Sequence, residues 1–515
     1  MTAATQAPAR PAPRPARRSA ALAAWRLLRI ELRRSPMPLI LPLIAALFWF
    51  DSYRPSASTP PMWVYRTFWN MGQGHAIIDF GPLVAGTAAW IGSRDGRRGT
   101  ADLVTAAPRP RWPAQLASWA AAAAWAVGAY LVFVCVMFAV YAGQGVIGTP
   151  PWWWVAAGAA AVLAFSAAGF AVGAYWPSRF ASPLAAFGAF LAMVMSSQIG
   201  FSHASGWALI LPTNSNGNFQ PDSGMLYPWL PDLPIARIML LAGIALAVTG
   251  LLGLPAASGG AGLRRMAAVL TIAGLAAAGT AVGLAETARL GPHGMVIPAL
   301  HDAASDRPYS YAPVCSHSAG IPVCLSPDYR SELAGVSAAL APVVSEVAGL
   351  PGAPVRAAQA AATYTSGEGQ AGQPMTIAGQ PPALRMPLGA LGLPGAFGWT
   401  TSQAADQVRL LFAHAFVGAG NGAGTPAQQA VQAALLQGAG VPFSLQPEVL
   451  SLTGLPGWAR ASVRGQSARG PGPAAGPVYA AARRLAALPA DARHAWLAGH
   501  LAALRSGRLS LGRLP

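Results

Sequence analysis

The sequence predicts an α-helical integral membrane bundle of about seven transmembrane helices with its N-terminus inside, followed by a mainly α-helical or α+β extracytoplasmic domain. Composition is the first reason: the 515 residues are 54% hydrophobic and only 10% charged, against roughly 25% charged in soluble domains. Charge-free runs long enough to cross a bilayer are the second, and a one-sided distribution of arginine is the third.

Residues 1–18, "MTAATQAPARPAPRPARR", are rich in proline and alanine without apolar period and read as a disordered basic tail. Residues 19–35 read as an amphipathic helix, because Leu22, Trp25, Leu28 and Leu32 recur at three- and four-residue steps with Arg26, Arg29, Arg33 and Arg34 between them. Such a helix lies on the inner leaflet, its apolar face in lipid and its arginines among anionic headgroups. A signal peptide fits these first residues poorly, since the basic region is long and no small-residue cleavage site follows Phe50.

The transmembrane domain covers 36–286, and charges bound its spans, because a charge at mid-bilayer costs at least about 2.5 kcal/mol. Trp112 to Ser178 contains no Asp, Glu, Lys or Arg; as one helix it would run roughly 100 Å, over three times the hydrocarbon thickness. It must fold back at "GTPPWWW" (Gly148 to Trp154), where a proline pair stops one helix and tryptophans suit the interface. The spans are therefore about 36–50, 73–92, 115–141, 153–176, 181–200, 238–254 and 266–285. The first is short for a full crossing. Asp79 is the one acid well inside a span; it is either a functional ionisable group or a structural partner near the outer end, with His75 one turn away.

With the N-terminus inside, the inner segments carry sixteen arginines and the outer ones three (Arg54, Arg66 and Arg237). That places 287–515 outside. Cysteine usage agrees: "CSHSAGIPVC" spaces Cys315 and Cys324 for a disulfide, which persists in an oxidising compartment, while a zinc site there lacks a convincing fourth ligand. The net charge of +17 sits mainly on the inner side of the bundle, so anionic lipid headgroups rather than nucleic acid are the expected partner.

Outside, Thr425, Pro426 and Gln428 spell a capping box for "PAQQAVQAALLQ", ended by Gly438. Ser326 and Pro327 open another helix that Gly349 closes, and two more run over about 477–487 and 491–506. "GAPVRAAQAAATYTS" and "QPMTIAG" are candidate strands, and "GQSARGPGPAAGP" a loop.

Several chemistries lack their residues. All 34 basic residues are arginine, so a GxxxxGK[ST] phosphate loop cannot occur. HExxH and GxSxG are missing, and His494 and His500, six apart on one helix, do not share a face. No catalytic, cofactor-binding or metal-binding residue is assigned.

One strip stands out: "SRDGRRGTADLVTAAPRPRW", Ser93 to Trp112. Its arginines exceed what topology needs. Gly99 and Thr100 can start a short helix, with Asp102 near its positive end and Pro108 and Pro110 to stop it. Together with the interfacial helix, the first two spans and the long loop between the fifth and sixth, this strip resembles the ABC-2 type permeases, the membrane subunits of bacterial ATP-binding cassette exporters. The resemblance covers about residues 18–255.

The resemblance implies that the loop carries a coupling helix fitting a cleft in a separate cytoplasmic ATPase. The docking residues are then Arg94, Asp95, Arg97, Arg98, Thr100, Asp102, Arg109 and Arg111. It further implies a homodimer or paired permease in the bacterial cytoplasmic membrane, with ATP entering only through the partner subunit. A seventh span and some 230 residues outside depart from that pattern. Some large permeases of this class carry peptidase-like extensions; without HExxH that activity does not carry over. The rival expectation is a membrane-anchored extracytoplasmic binding or sensing protein with scaffold spans. A third, an envelope enzyme, has no motif behind it.

Overall fold

A computed structural model describes residues 17–53, 75–99, 110–143, 150–202, 205–212, 227–256, 260–291, 294–360, 375–387, 401–419, 424–446 and 476–515. The protein is mostly helical with some sheet. Helix α1 (Arg17–Arg34) precedes α2 (Met37–Tyr53), α3 (His75–Gly92), the single turn α4 (Arg94–Arg97), α5 (Arg111–Gly143), α6 (Trp152–Tyr175) and α7 (Ala181–Ser202). A second single turn, α8 (Gly206–Leu209), leads to α9 (Asp232–Ala256) and α10 (Ala261–Glu286). Among the described residues four stretches, Arg111–Val136, Trp152–Tyr175, Asp232–Pro255 and Ala261–Glu286, are long and apolar enough to cross a membrane. Met37–Leu47, Phe80–Gly92 and Ala181–Ser196 are shorter apolar helices in the places where three further spans are expected.

Lipid is as apolar as leucine, so helices in a bilayer are held by close packing and hydrogen bonds rather than by escape from water. Small residues supply the packing here. A Cβ on Gly169 or Gly173 of α6 would collide with the carbonyls of Ala85 and Ala89 on α3, and one on Gly92 with the carbonyl of Phe170. The two backbones therefore touch along this stretch. Ser182 Oγ on α7 donates to the Gly86 carbonyl at 2.8 Å, which seats α7 on the same helix. Gly243 and Gly274 make the equivalent close approach between α9 and α10. Trp112, fully buried at the start of α5, donates Nε1 to the Thr249 carbonyl at 3.0 Å and packs against Gly253.

Of the apolar face expected to meet lipid, Leu22 and Trp25 of α1 are exposed, whereas Leu28 and Leu32 are half-buried. The helix is tied to the bundle near its C-terminal end, where Trp125 Nε1 donates to the Leu32 carbonyl at 2.9 Å.

The C-terminal domain begins with the small hairpin β1 (Arg289–Gly291) and β2 (Gly294–Val296). It continues through β3 (Val314–Ser316), β4 (Val323–Leu325), α11 (Leu333–Val347), β5 (Arg356–Gln359), β6 (Thr376–Ala378) and β7 (Ala383–Met386). Helices α12 (Thr401–Val417), α13 (Pro426–Gly438), α14 (Pro477–Ala487) and α15 (Ala490–Arg505) complete it. Five strands form one sheet in the order β3-β4-β5-β7-β6, parallel at β4/β5 and β5/β7 and antiparallel at its edges. Parallel strands need a crossover, and α11 is the one between β4 and β5. Each candidate segment holds a short strand, Arg356–Gln359 in the first and Thr376–Ala378 in the second, while residues 361–366 of the first lie outside the described residues.

Cys315 and Cys324 face each other across β3 and β4 and are joined as a disulfide, with Cα atoms 4.1 Å apart. The helices bury their own core, in which Leu340, Val343, Phe412, Phe416, Val431 and Leu435 take part. The capping box forms: Thr425 Oγ1 accepts from Gln428 N at 3.3 Å and Gln428 Oε1 accepts from Thr425 N at 2.7 Å.

Spans and helices differ chiefly at α9, which starts six residues before the expected 238. Arg237 and Asp232 lie inside the helix, both fully buried. A charge bounds a span only when it must reach water, and both of these find protein partners instead. The loop at 465–477 lies outside the described residues up to residue 475.

Candidate functional site

The Ser93 strip begins as a continuation of α3. Ser93 N donates to the Ala89 carbonyl at 3.0 Å, and the Ser93 side chain is buried. Its hydroxyl donates to the Trp90 carbonyl at 3.2 Å and accepts from Arg97 Nε at 2.9 Å. Arg97 Nη2 also donates to the Trp90 carbonyl at 2.7 Å, and its guanidinium lies 3.3 Å from the centroid of the Trp90 ring. A cation over an indole face is favourable by about 0.5 to 1 kcal/mol when exposed. Arg97 is therefore folded back onto α3.

Arg94 points the other way. Its Nη1 and Nη2 donate to Glu31 Oε2 and Oε1 of α1, each at 3.1 Å, and Asp95 lies 3.7 Å from its Nε. Hydrogen bonding to Glu31, against the cost of desolvation, holds the guanidinium further above its ordinary value. Gly96 packs on Pro177 in the turn between α6 and α7 so closely that a Cβ would overlap the proline ring. Gly99, at φ +66°, ends the turn with open space around it. This left-handed conformation favours glycine.

Of the eight residues expected to dock a partner, Arg94 and Arg97 are thus held within the protein. Asp95 lies beside Arg94, and Arg98 is exposed. Arg111 is the first residue of α5, next to the buried anchor Trp112. Thr100, Asp102 and Arg109 lie outside the described residues, as does the expected short helix from Thr100 to Ala107. Asp79 belongs to α3, but its side chain lies outside the described residues.

Sequence reasoning misses Glu31, although it is the single acid among the arginines of α1. A lone acid on a basic amphipathic face is a signal for a specific partner. Pro177, the other support of the turn, carries no comparable signal.

A second cluster joins the opposite end of the bundle to the C-terminal domain. The turn α8 sits on the end of α10, with Gly206 against the Ala285 carbonyl and Trp207 N donating to Glu286 Oε1 at 3.0 Å. Leu209, Ile210, Leu233, Ala236, Ala281, Ala285 and Ile297 form a small apolar core there. At its edge Asp232 Oδ2 accepts from Ile297 N at 2.8 Å and lies 3.3 Å from His301 Nδ1. His301 Nε2 lies 3.0 Å from Asp306 Oδ2. One turn and more along α9, Arg237 Nη2 donates to the Leu209 carbonyl at 2.9 Å, and its guanidinium lies 5.2 Å from the Trp154 ring.

Among the described residues no group of three or more His, Cys, Asp or Glu is placed to hold a metal ion. His494 Nε2 reaches the Ala348 carbonyl at 2.7 Å and His500 Nδ1 the Trp496 carbonyl at 2.8 Å. Both serve the packing of α15. No protein-family profile, curated protein or solved structure matches this chain. The four helices among the described residues that are long and apolar enough to cross a membrane fit a membrane protein, and the disulfide fits an extracytoplasmic C-terminal domain.

Proposed function

We propose that the chain is the permease subunit of an ABC-2 type exporter, moving a substrate across the bacterial cytoplasmic membrane with ATP hydrolysed by separate cassette ATPases. In this reading the charge-free runs make seven spans, and the arginine asymmetry orients them with the N-terminus and the Ser93 strip inside. The chain itself performs no covalent chemistry and works as a homodimer or with a second permease. The observation that carries the reading is the strip pattern from Ser93 to Pro108.

The local geometry supports that role. A docking element has to transmit a rigid-body motion, and the α4 turn is braced on three sides, by Glu31 of α1, by Trp90 of α3 and by Pro177 of the α6–α7 turn. Movement of the turn therefore carries α1, α3 and α6 with it. Among the described residues of the turn, Arg98, exposed at its end, is placed to meet an acidic cleft. The arginines of α1 would hold anionic headgroups at the same level.

The test is purification of the full chain from its native membrane. A cassette ATPase is expected to accompany it, and Arg98→Glu is expected to weaken that association about tenfold or more, a charge reversal at a contact that like charges oppose. An equally stable complex in Arg98→Glu would count against docking at this strip. One observation favours a second reading, a membrane-anchored extracytoplasmic binding or sensing protein: the C-terminal domain has a substantial core of its own. In that case no ATPase accompanies the chain at all.

A further inference from the structure

We propose that Asp232, His301 and Asp306 form a proton-dependent latch that fastens the start of the C-terminal domain to the end of the helix bundle. The inference stands on the junction geometry and does not depend on the transport reading.

Both nitrogens of one imidazole ring face carboxylates. His301 Nδ1 lies 3.3 Å from Asp232 Oδ2, and Nε2 lies 3.0 Å from Asp306 Oδ2. A neutral imidazole carries one N–H and one lone pair, so it can donate to only one of these carboxylates and must turn a lone pair towards the other. The imidazolium donates to both. With both carboxylates ionised, only the charged ring gives each of them a hydrogen bond.

What the ring holds is not a surface pair. Asp232 is fully buried at the first turn of α9, and among the described residues its Oδ1 has no hydrogen-bond partner. A buried carboxylate needs a compensating cation, and losing one partner of such a pair costs more than the pair contributes. The same carboxylate accepts from Ile297 N at 2.8 Å, and Ile297 is fully buried in the junction core with Leu209, Leu233 and Ala281. One proton on His301 therefore bears on the contact between α9 and the segment that opens the C-terminal domain.

The other charged groups on the elements packed there have separate roles. Glu286 at the end of α10 accepts from Trp207 N, Asp302 Oδ1 accepts from Ala304 N, and Arg237 lies deeper along α9, bonded to the Leu209 carbonyl. Arg289 and Arg307 are exposed on the rim. Desolvation pushes the His301 pKa down, but the hydrogen bond to Asp306 and the charges of Asp232 and Asp306 outweigh it, and the net shift is upward. A base whose folded pKa is raised contributes stability that is full below its unfolded value, about 6.5 for histidine, and lost as pH rises through the folded value. The latch is thus shut in acid and loosens as the compartment holding the C-terminal domain becomes alkaline.

The amide of Ile297 reports on the latch directly. Hydrogen exchange of the full chain in lipid nanodiscs, corrected for the intrinsic pH dependence of exchange, is to be followed over residues 294–306 from about pH 5.5 to about 9, a range that brackets the ordinary histidine value. In the unaltered chain, protection of Ile297 is expected to fall about tenfold or more across that range. His301→Gln should show low protection with no pH dependence. Asp306→Asn, at an exposed position, should move the midpoint to lower pH by removing one of the charges that raise it. Flat protection in the unaltered chain, or the same decline in His301→Gln, would overturn the latch. Should His301→Gln fail to fold, an unmoved midpoint in Asp306→Asn overturns it alone.

Discussion

Glu31 of α1 grips Arg94 of α4 with both carboxylate oxygens, two hydrogen bonds of 3.1 Å across 63 positions of sequence. The first arginine of the Ser93 strip is therefore a strut between the interfacial helix and the loop. Glu31→Gln removes the charge and keeps the shape. Because the pair is partly exposed, the loss is expected to be about 1 kcal/mol or less. It should appear as several-fold faster hydrogen exchange in residues 26–34, with α9 and α10 unaffected. Unchanged exchange in α1 would show that the strut carries no load.

The contact between α3 and α6 depends on having no side chain at Gly169 and Gly173. Gly169→Val drives its side chain into the Ala85 carbonyl, and overpacking of this kind should cost about 3 kcal/mol or more. A Cβ on Gly128 of α5 would meet nothing within 4 Å, so Gly128→Ala should be neutral or slightly stabilising. Thermal unfolding in detergent separates the two: a large fall for the first and no fall for the second.

In the C-terminal domain Gln428 does more than cap its own helix. Its Nε2 donates to the carbonyls of Val417 at 3.1 Å and Leu504 at 3.1 Å, satisfying the ends of α12 and α15 at once. Thr425→Ala should cost about 1 kcal/mol, the usual loss of an N-cap. Gln428→Ala strands buried carbonyls as well and should cost about 3 kcal/mol. Urea titration of the full chain, read by proteolysis of the C-terminal domain, would distinguish them. Equal effects would mean that the carbonyls find other donors.

The Cys315–Cys324 disulfide closes a sequence separation of 9, a short loop whose closure is worth about 2 to 3 kcal/mol in the unfolded chain. Replacing both cysteines with serine should lower the urea midpoint of the C-terminal domain accordingly. Peptide mapping without reductant should find the two residues linked in protein taken from the membrane. Free thiols at both positions would argue against an oxidising compartment around this domain.

Helix positions are legible in the sequence where local chemistry alone decides them. The charge-free run from Trp112 to Ser178 and its proline break correspond to α5 and α6, and the Thr425–Gln428 cap forms as its spacing requires. Strands of three and four residues, such as β7, are too short for a periodic signal, and α12 is not among the helices expected from sequence. The expected start of α9 falls too late because Arg237 reads as a loop residue, whereas the Leu209 carbonyl and the Trp154 ring allow it to stay inside.

Long-range pairing explains the same difficulty at the functional sites. The richness of the strip in arginine is plain in the sequence, but Arg94 belongs to Glu31 and Arg97 to Trp90, so fewer arginines face outward than their number implies. The His301 cluster shows locally only as a histidine five residues before Asp306; its buried partner, Asp232, is 69 positions away.

The transport reading stands or falls on what meets Arg98. A photo-crosslinking amino acid placed at that exposed position, activated in intact native membranes, captures whatever lies against the strip. The expected product is a cassette ATPase, crosslinked at its acidic cleft and lost when the ATPase is absent. Efficient crosslinking to lipid alone, with the ATPase present in the same cells, would contradict it.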